Sequence, residues 1–248
     1  MAALGPRSVL VQPVGANEQH GPHLPLSTDA VIAEAVAAAA VARVAALDAS
    51  PRVDAWLLPT LSYSKSNEHA WAPGTVWLSE RTMRAVLQDL GRSVAATPAE
   101  RLVFLNGHGG NSALLATANR ELRLAHGLRV FTAHPHMPAD QGGTSASSEL
   151  GMGIHAGHNE TSVMLHLAPE LVDMTKAVRR VPEGLARNRL VRFGGAVSFG
   201  WLSNDFFPEG HIGDPTGATA EEGRRMFEAA VAQFAEALVE IAAFDFGR

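Results

Sequence analysis

The chain of 248 residues has a net charge of −5, 46% hydrophobic residues and no cysteine. This composition excludes a disordered chain, and the absence of basic blocks disfavours nucleic acid as a partner. Without cysteine there are no disulfides, thiolate metal sites or cysteine nucleophiles, as suits a reducing cytoplasm. We find no signal peptide and no run of the roughly 18 apolar residues that a membrane helix needs, so we expect a cytoplasmic protein that does not contact a membrane.

Strands and helices are predicted to alternate along the first half of the sequence. Buried apolar runs predict strands at 8–14, 55–61, 101–105 and 128–133. Periodic segments predict helices at 30–47, 79–96 and 113–126. The alternation predicts an α/β fold in which a mostly parallel sheet carries helices on both faces. Because no linker or repeat interrupts the chain, we expect a single domain over residues 1–248.

The second half is less regular. Residues 135–154 are rich in Gly, Ser, Met and Pro, which predicts a long loop that is functional or mobile. Residues 159–167 fit either a helix or a strand, and the secondary structure of residues 186–207 is ambiguous. Residues 219–243 are strongly periodic and predict a C-terminal helix with a capping signal at its start.

The first motif follows the first predicted strand and has the sequence GANEQHGPHLPLSTD, residues 15–29. In an extended segment, Glu18 and His20 point the same way, and prolines prevent this segment from forming a helix. Asp29 lies at the start of the next predicted helix. Two carboxylates and an imidazole are enough to begin a metal site. The alternative is that Asp29 only caps the helix and that the other two residues are exposed.

The second motif is NGHGGNS, residues 106–112, between a predicted strand and a predicted helix. Ligands of open α/β sheets collect just beyond the carboxyl ends of strands, where His108 lies. Gly109 and Gly110 lie near a helix N-terminus, where free N–H groups could stabilise a developing oxyanion. The alternative is a glycine-rich turn whose histidine caps the strand. A phosphate loop is disfavoured because no lysine follows the glycines.

The third motif is HAGHNETS, residues 155–162, beside an apolar run. A buried Glu160 would need a partner, and no lysine or arginine lies between Arg129 and Lys176 to provide one locally. This favours a metal. The alternative is that Glu160 faces water in the first turn of a helix. The neighbouring His158 is expected to be packed or exposed rather than functional.

The three motifs together provide Glu18, His20, Asp29, His108 and Glu160. Oxygen and imidazole ligands without sulfur suit Zn, Mn or Fe. Five ligands are too many for one catalytic zinc, but they suit two ions that share a bridging carboxylate. Such a pair can activate a bridging water as the nucleophile and polarise a carbonyl, which is the chemistry of amide hydrolysis.

In this order, EQHGPHLPLSTD, NGHGGN and HAGHNETS resemble the signatures of the creatininase (creatinine amidohydrolase) family. The resemblance extends from about Leu10 to GDPTGATAEEGRRMF, residues 213–227. It implies an α/β sandwich around a parallel sheet, hydrolysis of C–N bonds, and frequently a hexamer. It also implies two divalent ions, Zn or Mn or both, with Fe as a further option.

The same resemblance implies a role for each ligand. Asp29 would bridge the two ions, Glu18 and His108 would bind one of them, and His20 and Glu160 would bind the other.

The resemblance further implies that His155 handles the proton and that Glu160 shares in catalysis. The chain departs from the family pattern at two places. Creatininase has an acidic residue where Gly110 stands, so Glu160 would have to complete the site. The loop 135–154 has none of the tryptophans of the creatininase lid, which disfavours creatinine as the substrate.

Three functions follow from the sequence. The first is a metal-dependent amidohydrolase of a cyclic amide, a formamide or a related small molecule. The second is a peptidase that removes a C-terminal dipeptide from a small modified precursor peptide, since HAG…ETS and GDPTGATAEEGRR also resemble the mycofactocin-maturing peptidase branch. The third, from another class, is a non-catalytic, metal-stabilised protein that binds a small molecule.

Overall fold

A computed structural model describes residues 4–47, 52–137 and 139–247 of the chain. Its sheet has four parallel strands in the order β2-β1-β3-β4. The strands are β1 (Val9–Val14), β2 (Ala55–Leu57), β3 (Arg101–Asn106) and β4 (Arg129–Ala133). The two central strands run in register from Val9 opposite Arg101 to Val14 opposite Asn106, so their carboxyl ends lie side by side.

The described helices follow the predicted alternation. They are α1 (Thr28–Ala45), α2 (Glu80–Ala95), α3 (Ser112–His126), α4 (His158–Leu167), α5 (Glu183–Ala186) and α6 (Ala220–Ala243). Short 3₁₀ helices at Asn67–His69 and Gly109–Asn111 border the site described below. In the parts of the chain that the structure describes, no helix combines the length and apolar character needed to cross a bilayer.

Both faces of the sheet are covered, because alternate residues of the central strands point to opposite sides. The strand residues that pack with α1 and α6 are Val9, Val11, Val103 and Leu105. Those that pack with α2 and α3 are Leu10, Leu102 and Phe104. Each fully buried side chain of this size contributes about 1.5–3 kcal/mol of transfer free energy. The predicted α/β fold with a parallel sheet and helices on both faces is confirmed.

Two regions depart from the predicted elements. The second strand ends at Leu57 rather than at residue 61. Leu58 still donates to the backbone oxygen of Val11, but the next donor on β1 would be Pro13, which has no N–H. Pairing resumes only as an isolated bridge between Leu61 and Val14. The ambiguous segment 186–207 forms no described helix or strand beyond the end of α5, and an isolated bridge there joins Val191 and Val197.

The structure also decides between helix and strand for residues 159–167 and shows the cap of the C-terminal helix. Residues 158–167 form a helix rather than a strand. The side chain of Thr219 accepts a hydrogen bond from the N–H of Glu222 at the start of α6, as the capping signal predicts. A Cβ on Gly107 would lie 2.6 Å from the backbone oxygen of Asp29, so glycine there lets β3 end directly against the first turn of α1.

Candidate metal centre

Five polar side chains meet beyond the carboxyl edge of the sheet. Glu18 and His20 follow β1, Asp29 lies in the first turn of α1, His108 follows β3, and Glu160 lies in the first turn of α4. We call these five residues the carboxylate–histidine centre. The structure therefore brings together all five residues that the sequence predicts as ligands.

Among the described residues, the possible ligand atoms form three groups, and two of these share Asp29. The two are Glu18, Asp29 and His108, and His20, Asp29 and Glu160; the third is Glu18, His20 and His155. Within each group the atoms lie within 4.8 Å of one another. Asp29 Oδ1 is 3.0 Å from His20 Nε2, and Asp29 Oδ2 is 3.1 Å from His108 Nδ1. One carboxylate thus faces both histidines, which is the arrangement that a bridging ligand requires.

Two carboxylate oxygens of the centre support a metal as its occupant. Glu18 Oε1 and Asp29 Oδ2 are buried and accept no hydrogen bond from the residues that the structure describes. Leaving a buried acceptor unsatisfied costs about 1–3 kcal/mol, and more when the group is charged. A divalent cation would satisfy both oxygens, and oxygen and imidazole donors suit Zn, Mn or Fe. The residues present therefore fit a metal.

Each histidine of the centre directs one ring nitrogen inward and has a hydrogen-bond acceptor at the other. His20 Nδ1 donates to the backbone oxygen of Glu18 at 3.1 Å, which leaves Nε2 facing Asp29. His108 Nε2 lies 3.0 Å from the backbone oxygen of Lys65 and 3.1 Å from Glu68 Oε1, which leaves Nδ1 facing the centre. An imidazole whose outer nitrogen is protonated presents its inner lone pair to a metal.

Burial and close contacts shift the pKa values of the side chains in the centre. Burial opposes the charging of His20, but the carboxylates of Asp29, Glu160 and Glu18 together outweigh burial and raise the pKa of His20 to about 10. Burial likewise opposes the charge on Asp29, yet His20 and His108 hold the pKa of Asp29 below its usual value. Burial raises the pKa of Glu160 to about 7. Metal ions must therefore displace protons here.

His155, the predicted proton-handling residue, borders the centre. Its Nε2 donates to the backbone oxygen of Gln19 at 2.7 Å, and its Nδ1 lies 3.7 Å from Glu18 Oε1. Burial and the neighbouring His69 and His20 keep the pKa of His155 well below 6.5. His155 is therefore a neutral imidazole whose Nδ1 lone pair faces the centre.

The turn that joins His155 to α4 is strained. Ala156 adopts φ of 51°, a left-handed conformation that is uncommon for a residue with a Cβ. Its N–H donates to Glu160 Oε2 at 2.5 Å. The strained turn thus points one backbone donor at the carboxylate of Glu160 and orients it toward the centre.

A cavity of about 500 Å³ opens beside the centre. Its walls include Gly109 and Gly110 from the turn before α3. The walls also carry the aromatic side chains of Phe199 and Trp201. The cavity is therefore larger than the immediate surroundings of the predicted ligands and has an apolar side.

Sequence reasoning missed Glu68 and His69, which lie between the predicted strand at 55–61 and the predicted helix at 79–96 and which the structure places at the centre. His69 is buried, with Nε2 3.3 Å from Glu18 Oε1. Contact with His108 lowers the pKa of Glu68 to about 2, although burial acts in the opposite direction. The adjacent acid and histidine in a loop after a strand were the available signal, since functional residues concentrate in such loops.

The carboxylate beside Gly110 is therefore that of Glu68. Glu160 lies with His20 and Asp29 instead. Glu160 therefore stays the predicted ligand of the second ion. Glu68, and not Glu160, places a carboxylate beside Gly110, where creatininase has an acidic residue.

Comparison with known proteins gives a consistent result. The profile of the creatininase family, described as creatinine amidohydrolase, matches residues 1–238. The chain is 42% identical over 223 residues to the mycofactocin precursor peptide peptidase of Mycobacterium ulcerans (strain Agy99), which covers 89% of this chain and 80% of that protein. It is 35% identical over 191 residues to the creatinine amidohydrolase of Pseudomonas putida, with 70% of each chain covered.

Solved structures share the fold. A putative creatinine amidohydrolase from Bacteroides fragilis NCTC 9343 superposes with a TM-score of 0.79 at 24% identity, over 97% of this chain and 92% of that one. Two creatininase structures at 28% identity have TM-scores of 0.71 and 0.70; each match covers 94% of this chain, and 90% and 91% of the respective creatininase chains. The first is named as a Zn–Zn type and the second as an Mn form.

Proposed function

This chain belongs to the creatininase family of hydrolases that act on carbon–nitrogen bonds, and we propose that it removes a C-terminal dipeptide from a small modified precursor peptide. The sequence alone favoured a small amide as the substrate. The relative named as a precursor peptide peptidase is 42% identical to this chain, compared with 35% for the creatinine amidohydrolase. This difference in sequence identity supports a peptide as the substrate.

The observation that carries the proposal is the size of the cavity. A space of about 500 Å³ lies within the range of roughly 300–1,000 Å³ that is typical of sites for drug-sized ligands. A single small cyclic amide would leave most of this space filled with water. The end of a peptide would instead reach from the centre to the apolar wall at Phe199 and Trp201.

The proposed cofactor is a pair of divalent ions, Zn or Mn or both. Glu18 and His108 would hold one ion, His20 and Glu160 the other, and Asp29 would bridge them. When bound, such ions polarise the scissile carbonyl and lower the pKa of water. The unsatisfied oxygens of Glu18 and Asp29 support this assignment, as do the Zn and Mn forms of related creatininases.

The chain's own groups would complete the reaction. The N–H groups of Gly109 and Gly110, beside the N-terminus of α3, are proposed to stabilise negative charge on the carbonyl oxygen. His155 is neutral and presents its Nδ1 lone pair, so it can accept a proton and pass it to the leaving nitrogen. Glu160 would contribute through its contact with the second ion.

The experiment that tests the function is a substrate panel offered to the metal-loaded protein. The panel contains creatinine, a formamide, and peptides of increasing length with free or amidated C-termini, and products are identified by mass spectrometry. We expect cleavage of peptides two residues from a free C-terminus and little turnover of creatinine. The variant His155→Asn should lower the rate of cleavage by about 10²–10⁴-fold, the usual contribution of a general acid or base.

The exposed Glu236→Gln on α6 is the matched control, and it should leave the rate unchanged. Turnover of small amides without peptide cleavage would reject the peptide substrate but keep the hydrolase. Full metal loading without any turnover across the panel would favour the non-catalytic binding protein instead.

Three further features stay predictions. The hexameric assembly follows from the family resemblance. The cytoplasmic location follows from the cysteine-free composition. The extent of the single domain, 1–248, includes residues outside those that the structure describes.

A further inference from the structure

We propose that Glu68 is a positioning residue of the centre: its carboxylate accepts a hydrogen bond from His108 Nε2–H, so that His108 presents Nδ1 to the ion shared with Glu18 and Asp29. This inference rests on the proposed metal-dependent function. It assigns to a residue of the segment between β2 and α2 a role that none of the three sequence motifs contains.

The argument starts from the two edges of the His108 ring. At Nδ1 lie Asp29 Oδ2 at 3.1 Å and Glu18 Oε2 at 3.3 Å. At Nε2 lie Glu68 Oε1 at 3.1 Å and the backbone oxygen of Lys65 at 3.0 Å. A neutral imidazole carries one N–H, and carboxylates at both edges compete for it. Acceptors at Nε2 are needed to draw the proton away from the nitrogen that faces the centre.

Glu68 is itself held in place. Its Oε2 lies 3.1 Å from Lys65 Nζ, so each of its two oxygens has a separate partner. Its backbone oxygen accepts the N–H of Ser203 at 3.0 Å, and its side chain is only 13% exposed. A carboxylate that is fixed at both oxygens and at its backbone can orient a histidine, whereas a mobile surface glutamate cannot.

Gly110 provides an independent observation. A Cβ at this position would lie 1.8 Å from Glu68 Oε1 and 2.4 Å from His108 Nε2. The carboxylate of Glu68 therefore occupies the space that any side chain at position 110 would fill. Glycine at this position leaves room for the contact between Glu68 and His108.

The geometry also distinguishes an orienting role from direct ligation. Glu68 Oε1 lies against Nε2, whereas Glu18 and Asp29 lie against Nδ1 on the other edge of the ring. The groups of ligand atoms that lie within 4.8 Å of one another include Glu18, Asp29 and His108 without Glu68. Glu68 therefore acts on the ion through His108, as the outer carboxylate of a carboxylate–histidine–metal triad does.

The test measures metal affinity in the full chain, with Glu68→Ala, Glu68→Gln and the control Glu236→Ala. Zinc binding is followed by competition with a chromophoric chelator, and folding by circular dichroism. Loss of an outer-shell partner typically lowers metal affinity about 10–100-fold, which we expect for Glu68→Ala. Glu68→Gln keeps an acceptor oxygen and should recover part of this affinity, while Glu236→Ala should match the wild type.

A second readout separates orientation from a merely structural role. In the zinc-loaded protein, ¹⁵N-histidine NMR should show His108 protonated at Nε2, with this N–H signal shifted upfield in Glu68→Ala because its charged acceptor is lost. Wild-type affinity and an unchanged His108 signal in folded Glu68→Ala would overturn the inference. If Glu68→Ala does not fold, wild-type affinity and an unchanged signal in Glu68→Gln would overturn it.

These outcomes are distinct from a failure of the proposed function. If the wild-type chain itself binds no metal, the metal-dependent function fails first. If it binds metal and both Glu68 variants bind equally well, the hydrolase stands and only the role of Glu68 is rejected.

Discussion

The two histidines of the centre are supported in different ways. His20 donates from Nδ1 to the backbone oxygen of Glu18, a residue two positions earlier in the same motif. His108 depends on Lys65 and Glu68, and Lys65 lies 43 positions away in sequence. The His20 side is therefore built by one short extended segment, whereas the His108 side exists only when two distant segments dock against each other.

That docking depends on Asn111, in the short 3₁₀ helix after His108. Its Oδ1 accepts the N–H of Lys65 at 3.2 Å, and its Nδ2 donates to Ser64 Oγ at 3.0 Å. Ser66 Oγ donates to Glu18 Oε2 from the same segment. The comparison indicates that the His108 side is the more sensitive to substitutions outside the motifs, because its support is spread over more of the chain.

The largest effect is expected where the two sides meet, at Asp29. In Asp29→Ala both histidines lose the carboxylate that faces them, so both proposed ions should be lost. The affinity for each should fall by more than the roughly 10–100-fold that an outer-shell substitution costs. Ions per chain after dialysis, measured by plasma mass spectrometry, check this. Retention of two ions by a folded Asp29→Ala would show that the two sides do not share this ligand.

A smaller effect is expected in the protons that zinc displaces at pH 7. The pKa of His20 is raised to about 10, so this ring carries a proton at pH 7 that must leave when its Nε2 binds a metal. The heat of zinc binding should therefore depend on the ionisation enthalpy of the buffer.

Calorimetry in three buffers of equal pH gives the number of protons from the slope. Zinc binding to His20→Ala should release about one proton fewer than zinc binding to the wild type, because the protonated ring of His20 is absent. Heats that are equal in all three buffers would contradict the raised pKa of His20.

The difference between the two sides also explains what the sequence could predict. Val14 lies opposite Asn106, so the segments after β1 and β3 must meet, as the parallel-sheet prediction requires. His20 was found because its spacing from Glu18 within one extended segment is a local property. The α/β fold and the convergence of the five predicted ligands follow from such patterns.

Glu68 and His69 could not be found in the same way. Their segment has no helical or strand periodicity, and the pairing of β2 ends at Leu57, before the segment begins. Its position depends on tertiary hydrogen bonds such as those from Asn111, which leave no pattern in the sequence. Glu68 and His69 therefore belong to the part of the site whose position is set by contacts between segments that are distant in sequence.

The smallest expected effect is that of Gly110→Ala, and it tests the comparison most specifically. Position 110 has no positive φ, so alanine is allowed by the backbone and any effect must come from the new methyl group. That methyl would lie 1.8 Å from Glu68 Oε1 and 2.4 Å from His108 Nε2, so both side chains must shift, and zinc affinity should fall toward the lower end of the roughly 10–100-fold range of Glu68→Ala. Gly184→Ala, which meets only a distant arginine side chain, is the matched control.

Substitutions that share a contact are not additive, so Gly110→Ala should cost less in a chain that already carries Glu68→Ala, where only its contact with His108 remains. An equal loss of affinity with and without Glu68 would mean that the methyl group disturbs His108 or the glycine turn directly. The support of the His108 side would then come from the backbone of Lys65 alone, and its difference from the His20 side would be one of distance in sequence rather than of chemistry.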